Sequence, residues 1–298
     1  MTNPSIQPLP FRVLIDEAMK EWRRHFKTIY PSVALPLAIV VGPLTVGYTE
    51  RLGKLMGTSA APSFGEFVSL FGSFGIWLAA VTVVNLVATS ALQAATLDAV
   101  AGREVSMTRS WLFALRPRVL GTVLLNGILV LMSLLFCFIP AIYVGPLLSL
   151  TMPVMRIEGT FGLAALKRSA ALARYNRRLG FTENPLVKIL ALFLVVGLLS
   201  YAINMVIQLP IAVVQQIVIM RDVVEGQTPD PQALMSKMVW FQAPAAVLGS
   251  LTNTTIQLYM GCALGLLFLD IRRRREGTDL EEALDAMGAP ALAEAEPA

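Results

Sequence analysis

Carboxamide side chains recur at helical spacing within long apolar stretches of the sequence. Residues three or four positions apart project from one face of a helix. Such amides either form hydrogen bonds between membrane helices or line a polar cavity that holds a lipid headgroup or a small polar solute. Both interpretations stay open at this point. The amides are Asn85 and Gln93, with Thr89 between them, then Asn126, Asn204 and Gln208, and finally Asn253 and Gln257.

Two groups of basic side chains form a second candidate site. In the stretch 160–179 most of the basic residues share one arc of a helix, opposite an apolar arc. A further basic run follows the last apolar stretch. Such residues either set the orientation of the chain in a membrane or recruit anionic lipid, at about 1 kcal/mol for each basic residue near the surface. They are Lys167, Arg168, Arg174, Arg177 and Arg178, and then Arg272, Arg273, Arg274 and Arg275.

Residues for catalysis or metal binding are scarce. His25 is the only histidine, so a His-rich metal or phosphodiester site cannot be assembled, and Cys137 and Cys262 lie too far apart for a CxxC motif. The sequence contains neither a GxxxxGK[ST] loop nor a GxSxG nucleophile elbow. We therefore predict a protein that is not an enzyme and that uses no cofactor or metal.

Composition places the chain in a membrane. Of its 298 residues, 55% are hydrophobic and only 15% are charged, with a mean hydropathy of +0.65. Soluble domains have about 25% charged residues, so an ordinary soluble protein is excluded. The net charge is +4. The basic residues lie beside apolar segments, however, and form no exposed cluster with base-reading side chains, which excludes nucleic acid as a partner.

Charge-free stretches divide the chain into six membrane spans. A helix needs about 20 mostly apolar residues to cross about 30 Å of hydrocarbon. The stretch 119–155 is long enough for two spans joined by a tight turn. We predict a single domain over residues 1–288 and a disordered tail at 289–298. The predicted spans are 28–49, 74–97, 119–138, 140–155, 187–209 and 244–269.

The distribution of Lys and Arg predicts the orientation of the chain. Cytoplasmic connections carry the excess of these residues. Only four of the 24 Lys and Arg residues, namely Arg51, Lys54, Arg221 and Lys237, fall in the connections on one side. The sequence therefore predicts that both termini are cytoplasmic. It also predicts that a cavity between spans 2, 5 and 6 opens toward the outer leaflet, because several of the amides lie in the outer half.

The cytoplasmic connections contain amphipathic helices. In 11–27 the apolar residues, such as Leu14 and Ala18, fall on one arc of a helix and the charged residues on the other. Similar patterns occur at 107–115 and 160–179. The sequence therefore predicts an all-α integral membrane protein whose six transmembrane helices form three hairpins. Each hairpin is preceded by a cytoplasmic amphipathic helix at the membrane interface.

Proline and glycine predict local geometry inside the spans. Two pairs of prolines, in the first and fourth spans, predict kinks or broken helices. The sequence Gln208-Leu209-Pro210 predicts a break in the fifth span and a surface helix over 211–224. Gly261 and Gly265 form a GxxxG motif for close helix packing, either within the bundle or between two copies of the chain. The proline pairs are Pro36 with Pro43 and Pro146 with Pro153.

Two segments resemble a known family. Its members are six-span bacterial membrane proteins related to the membrane domain of glycerophosphoryl diester phosphodiesterases. In fused members, catalysis belongs to a separate soluble barrel with histidines and carboxylates, which this sequence does not contain. The resemblance implies the fold and a bacterial cytoplasmic membrane, and it transfers no functional residue. The segments are Pro153-Val154-Met155-Arg156-Ile157-Glu158-Gly159, followed by Ala165 to Ser169, and Leu266 to Arg272, followed by Glu276-Gly277 and Asp279-Leu280-Glu281.

Two functions are consistent with these residues. The first is a non-enzymatic membrane module that organises lipid or a partner protein through its basic interfacial helices. The second is a permease, or a transporter of lipid or a small solute, with a carboxamide-lined cavity. The expected partners are the bilayer and its anionic lipids, with a partner protein or a second copy of the chain as further partners.

Overall fold

The computed structural model describes residues 9–56, 64–136, 138–174, 180–224 and 231–276. Within these ranges the chain is helical and has no strands. Six segments are long and apolar enough to cross a membrane, which confirms the prediction of a helical, multi-pass membrane protein. The predicted tail at 289–298 lies outside the described residues. The six segments are Phe11–Gly47, Gly72–Val100, Pro117–Phe136, Pro140–Glu158, Pro185–Val214 and Pro244–Arg274.

The helices differ widely in length. A π-helical segment, Val154–Glu158, follows the shortest of them directly, and a 3₁₀ helix, Phe181–Glu183, precedes one of the longest. In chain order the helices are α1 (Phe11–Met56), α2 (Phe64–Val100), α3 (Met107–Ala114), α4 (Pro117–Phe136), α5 (Phe138–Leu148), α6 (Thr151–Pro153), α7 (Leu163–Ala173), α8 (Pro185–Val224) and α9 (Pro231–Glu276).

The first helix has no break between its charged part and its apolar part. The interfacial helix predicted at 11–27 is therefore not a separate element, which corrects that prediction. No glycine or proline occurs from Phe11 to Tyr30, so nothing in the sequence ends the helix there. The apolar arc of this part, with Leu14 and Ala18 buried, packs against α9.

The two other predicted amphipathic helices are separate elements. α3 lies within the predicted stretch 107–115, and α7 lies within 160–179. Phe113 on α3 is buried, as are Ala165 and Leu172 on α7. The apolar faces of both helices therefore pack against the bundle.

Proline acts differently in the fourth and fifth spans. The fourth span is broken, because α5 ends at Leu148, a turn follows, and α6 begins at Thr151. In contrast, α8 continues through Pro210 as far as Val224, so the predicted break at Gln208-Leu209-Pro210 is wrong. A proline is tolerated in a membrane helix where neighbouring groups satisfy the freed backbone atoms. The surface helix predicted over 211–224 is the continuation of α8.

The core of the molecule surrounds α9. All residues from Leu258 to Gly265 are buried. α1 runs antiparallel to α9, since the Tyr30 hydroxyl donates a hydrogen bond to the Leu251 carbonyl oxygen at 3.3 Å, and the Leu9 amide donates one to the Asp270 carboxylate at 3.5 Å. α2 and α8 also pack against α9, whereas α4 contacts mainly α5.

Candidate functional site

A cavity of about 640 Å³ lies between α2, α4, α5, α6, α8 and α9. It occupies the middle of the apolar segments, beside residues 81–93 of α2 and 256–264 of α9. Most of its lining is apolar, but polar side chains converge on it from both sides. The polar residues are Thr82, Asn85, Thr89, Ser90, Gln93, Asn126, Ser149, Thr151 and Gln257.

One face of α2 lines the cavity, and another face packs against α1. Asn85, Thr89 and Gln93 stand on successive turns of one face and line the cavity. Ala88 and Leu92 stand on another face and are buried against α1. The helical spacing of the amides therefore turns them away from α1 and toward the cavity.

Four of the seven amides predicted from the sequence line the cavity, namely Asn85, Gln93, Asn126 and Gln257. Asn85 donates a hydrogen bond from Nδ2 to the Val81 carbonyl oxygen at 2.9 Å, within its own helix. The Oδ1 atom of Asn126 is buried and has no hydrogen-bond partner in the part of the chain that the structure describes. A buried acceptor without a donor costs about 1–3 kcal/mol, which a bound molecule with an O–H or N–H group recovers.

The structure places Asn204, Gln208 and Asn253 outside the cavity. Asn204 donates a hydrogen bond to the Ser200 carbonyl oxygen at 2.9 Å, and the two other side chains are exposed. At 1.5 Å per residue, Asn204 lies about 12 Å along α8 from Val196, which does line the cavity. The prediction of a cavity between spans 2, 5 and 6 is corrected accordingly, since α4, α5 and α6 also form its wall.

Hydroxyl groups satisfy the backbone at the break in the fourth span. Ser149 and Thr151 donate to the carbonyl oxygens of Pro146 at 2.8 Å and Leu148 at 2.6 Å. Ser169 on α7 donates to the Leu147 carbonyl oxygen at 2.8 Å. Backbone groups inside a membrane need such partners because no bulk water is there to supply them. The protein itself therefore supplies these partners at this wall of the cavity.

Ion pairs lie at the end of the bundle where α2 and α9 finish, which we call the charged end. Arg156 donates from Nε to Asp98 Oδ1 at 2.9 Å, and its guanidinium lies 4.8 Å from the centre of the Phe113 ring. Arg274 pairs with Asp270 on α9. The sequence did not predict these pairs, although a carboxylate at the end of an apolar run signals a nearby cation.

A buried lysine at the charged end forms a hydrogen bond with the start of the described chain. Lys188 on α8 is only 2% exposed, and its Nζ donates to the Leu9 carbonyl oxygen at 2.6 Å. The Leu9 amide donates in turn to Asp270. Leu9 just before α1, Lys188 on α8 and Asp270 on α9 thus meet in one hydrogen-bonded group. In the sequence, Lys188 counted only toward the orientation of the chain.

The predicted basic residues do not form one surface. Arg168 pairs with Glu158 at 3.0 Å, whereas Lys167 and Arg174 are exposed. Arg272 and Arg273 line a small pocket near the end of α9. Arg177 and Arg178 lie outside the described residues, as does the side chain of Arg275. The predicted arc over 160–179 is thus partly neutralised within the chain itself.

No protein-family model, curated protein or solved structure matches the chain. The resemblance of 153–159 to the six-span bacterial family therefore stays a prediction. Among the described residues, no three His, Cys, Asp or Glu side chains lie together as metal ligands. The cavity and the charged end are thus the features from which a function is inferred.

Proposed function

We propose that the protein binds an uncharged amphipathic molecule in the cavity between its helices and carries it within the membrane. The observation that supports this function best is the buried Oδ1 atom of Asn126, which has no partner among the described residues. A polar atom held in this state inside an apolar bundle is costly unless a ligand donates a hydrogen bond to it.

The lining favours an uncharged ligand. None of the described residues that line the cavity carries an ionisable group. A charged ligand would therefore lie in an apolar site without an opposite charge, which is far more costly than burying a hydrogen-bonded amide or hydroxyl. The ligand should instead offer hydroxyl or amide groups to Asn126, Gln93 and Gln257.

The size and composition of the cavity favour an amphipathic ligand. Its volume of about 640 Å³ falls within the range of about 300–1,000 Å³ that is typical of small-molecule sites. Phe193, Val196 and Met260 supply apolar walls beside the amides. A neutral glycerolipid, with a free hydroxyl next to acyl chains, combines both properties.

The packing of the amphipathic segments favours this function over a module that organises lipid or a partner protein. The apolar arcs of α7 and of the first part of α1 are buried within the bundle, at Leu14, Ala18 and Leu172. These arcs are consequently occupied by protein contacts. The function through basic interfacial helices thus loses the free apolar faces that it needs.

The location follows the distribution of charge. We place the protein in a bacterial inner membrane, with both termini in the cytoplasm and with the charged end facing the same side. Its spans would form three hairpins, as in the membrane domain related to glycerophosphoryl diester phosphodiesterases. In this proposal the protein is not an enzyme and acts by binding and moving its ligand.

The test compares amides inside and outside the cavity. Purified protein in detergent is incubated with diacylglycerol, and the bound lipid is counted by native mass spectrometry. Asn126→Leu should abolish stoichiometric binding because it removes the acceptor. Asn204→Leu is the matched control, since Asn204 lies on a span but outside the cavity, and it should bind like the unaltered protein.

Thermal unfolding without lipid separates a binding role from a packing role. Asn126→Leu removes a buried acceptor that has no donor, so it should raise the free energy of unfolding by on the order of 1 kcal/mol. The unfolding temperature should rise accordingly. Loss of stability in Asn126→Leu, or equal loss of diacylglycerol in both variants, would contradict the proposal. Movement between leaflets is then measured with fluorescent diacylglycerol in proteoliposomes.

A further inference from the structure

Among the described residues, the polar side chains that line the cavity do not bond to one another across it. Their hydrogen bonds run to carbonyl oxygens of their own stretch of chain. Amides and hydroxyls that hold membrane helices together bond between helices instead. The donors and acceptors that remain free in the cavity are therefore available to a ligand, and their kinds indicate what that ligand must carry.

Two hydroxyl groups of the cavity have already used their protons. Ser149 and Thr151, at the break in the fourth span, donate them to backbone carbonyl oxygens at 2.8 Å and 2.6 Å. A hydroxyl has a single proton, so these two oxygens offer only lone pairs to the cavity. Asn85 on α2 gives one of its two amide protons to the Val81 carbonyl oxygen and keeps the other.

Asn126 adds a third acceptor on the same side of the cavity. Its Oδ1 atom is buried without a donor from the described chain, and α4, which carries it, packs against α5. Asn126, Ser149 and Thr151 are the polar side chains that the described chain from α4 to α6 brings to the cavity, and we call them the acceptor wall. Apart from the amide protons of Asn126, the side chains of this wall offer only acceptors.

The opposite wall accommodates donors and acceptors alike. Each of its other polar side chains carries both kinds of group. They are Thr82, Thr89, Ser90, Gln93 and Gln257. The selective demand therefore comes from the acceptor wall. One ligand hydroxyl has one proton and satisfies one acceptor, so a ligand that satisfies this wall needs more than one donor.

We propose that the cavity takes a neutral lipid whose head group is a diol. One hydroxyl donates to Asn126 Oδ1, and the second donates to the hydroxyl oxygen of Ser149 or Thr151. Both ligand oxygens keep lone pairs for the donors of the opposite wall. This inference rests on the ligand-binding function proposed above. It narrows the ligand from neutral lipids with one hydroxyl, such as diacylglycerol, to those with two.

Three lipids with the same acyl chain test this demand on the unaltered protein. Methyl oleate has no hydroxyl, ethylene glycol monooleate has one, and monooleoylglycerol has two. Native mass spectrometry of the purified chain in detergent measures the three affinities. Each added hydroxyl should tighten binding about fivefold to tenfold, as expected for one hydrogen bond between uncharged groups.

The outcomes separate this inference from the function on which it rests. Equal affinities for the lipids with one and two hydroxyls would overturn the diol head group and leave the proposed function intact. If neither these lipids nor diacylglycerol binds, both are wrong.

Removing two oxygens of the acceptor wall should remove the preference for the diol. Ser149→Ala combined with Thr151→Val changes the volume little, and it should bind monooleoylglycerol no more tightly than ethylene glycol monooleate. Thr151→Ser keeps the oxygen and should keep the preference. Ser250→Ala combined with Thr254→Val is the matched control, because both hydroxyls donate within α9 and lie outside the cavity. Loss of the preference in this control would overturn the proposal.

Discussion

Gly261 allows a close approach between α9 and α2. A methyl group at this position would lie 2.6 Å from the Thr96 hydroxyl oxygen, and one at Gly265 would lie 3.1 Å from a Leu97 methyl carbon. Thr96 is fully buried and β-branched, so it has little room to move. The GxxxG motif therefore acts within the bundle, which was one of the two roles expected from the sequence.

Gly261→Ala should lower the free energy of unfolding by about 1–3 kcal/mol, because it overpacks this contact. The second change Thr96→Ala removes the atoms that collide and should restore most of the lost stability. Reversible unfolding in mixed detergent measures both effects as a double-mutant cycle. Gly249→Ala serves as the control, since no heavy atom lies within 4 Å of its added methyl group. Independent, additive effects of the two changes would contradict this contact.

For single residues, the sequence predicted the helix face on which an amide lies better than its position along the helix relative to the cavity. The spacing of Asn85 and Gln93 placed both on the cavity side of α2. The same spacing gave no information about how far Asn204 or Asn253 stands from the cavity along its helix. Depth depends on how neighbouring helices are shifted along each other, and that shift is set by contacts between distant residues such as Tyr30 and Leu251.

The break in the fourth span depends on a hydroxyl from another helix. Ser169 on α7 donates to the Leu147 carbonyl oxygen, which lies beside the turn between α5 and α6. Ser169→Ala should therefore cost about 1 kcal/mol of stability, since the partly buried Leu147 carbonyl loses this donor. Ser32→Ala is the control, because Ser32 is outside the core and, among the described residues, its hydroxyl bonds only to Thr28 in its own helix. Equal stability of the two variants would show that the break needs no such support.

This dependence explains why proline predicted some helix ends and not others. Pro146 precedes a real break, whereas α1 continues through Pro36 and Pro43 and α8 continues through Pro210. A proline frees a carbonyl in every case. Proline alone therefore does not decide whether a helix breaks, and the break after Leu148 is supported by Ser169 from another helix, which a single stretch of sequence does not reveal.

The antiparallel contact between α1 and α9 organises the whole molecule. A methyl group on Gly42 would lie 3.2 Å from a Val247 methyl carbon. Cysteines at these two positions should therefore cross-link within one chain, in a background without Cys137 and Cys262. The pair at 47 and 247 is the control, because no heavy atom lies within 4 Å of a methyl group on Gly47. Peptide mass spectrometry identifies the linked pair, and preferential linkage from position 47 would contradict this packing.

Six apolar segments were readable from the sequence because each, with 19 to 37 residues, is about as long as a membrane crossing requires or longer. The sequence did not reveal that the amphipathic segment 11–27 continues without a break into the apolar part of α1. An amphipathic helix has the same periodicity whether lipid or protein covers its apolar arc. Leu14 and Ala18 are covered by α9, which lies more than 200 residues later in the sequence.

The pairing of the first helix with the last decides when the bundle closes during synthesis. α1 enters the membrane long before α9 exists, because ribosomes add roughly 5–20 residues each second and α9 begins at Pro231. During that interval Leu14 and Ala18 lack the helix that covers them. The nascent chain therefore remains an open bundle until its final span is inserted, and a fragment released earlier presents the same uncovered surface to membrane proteases.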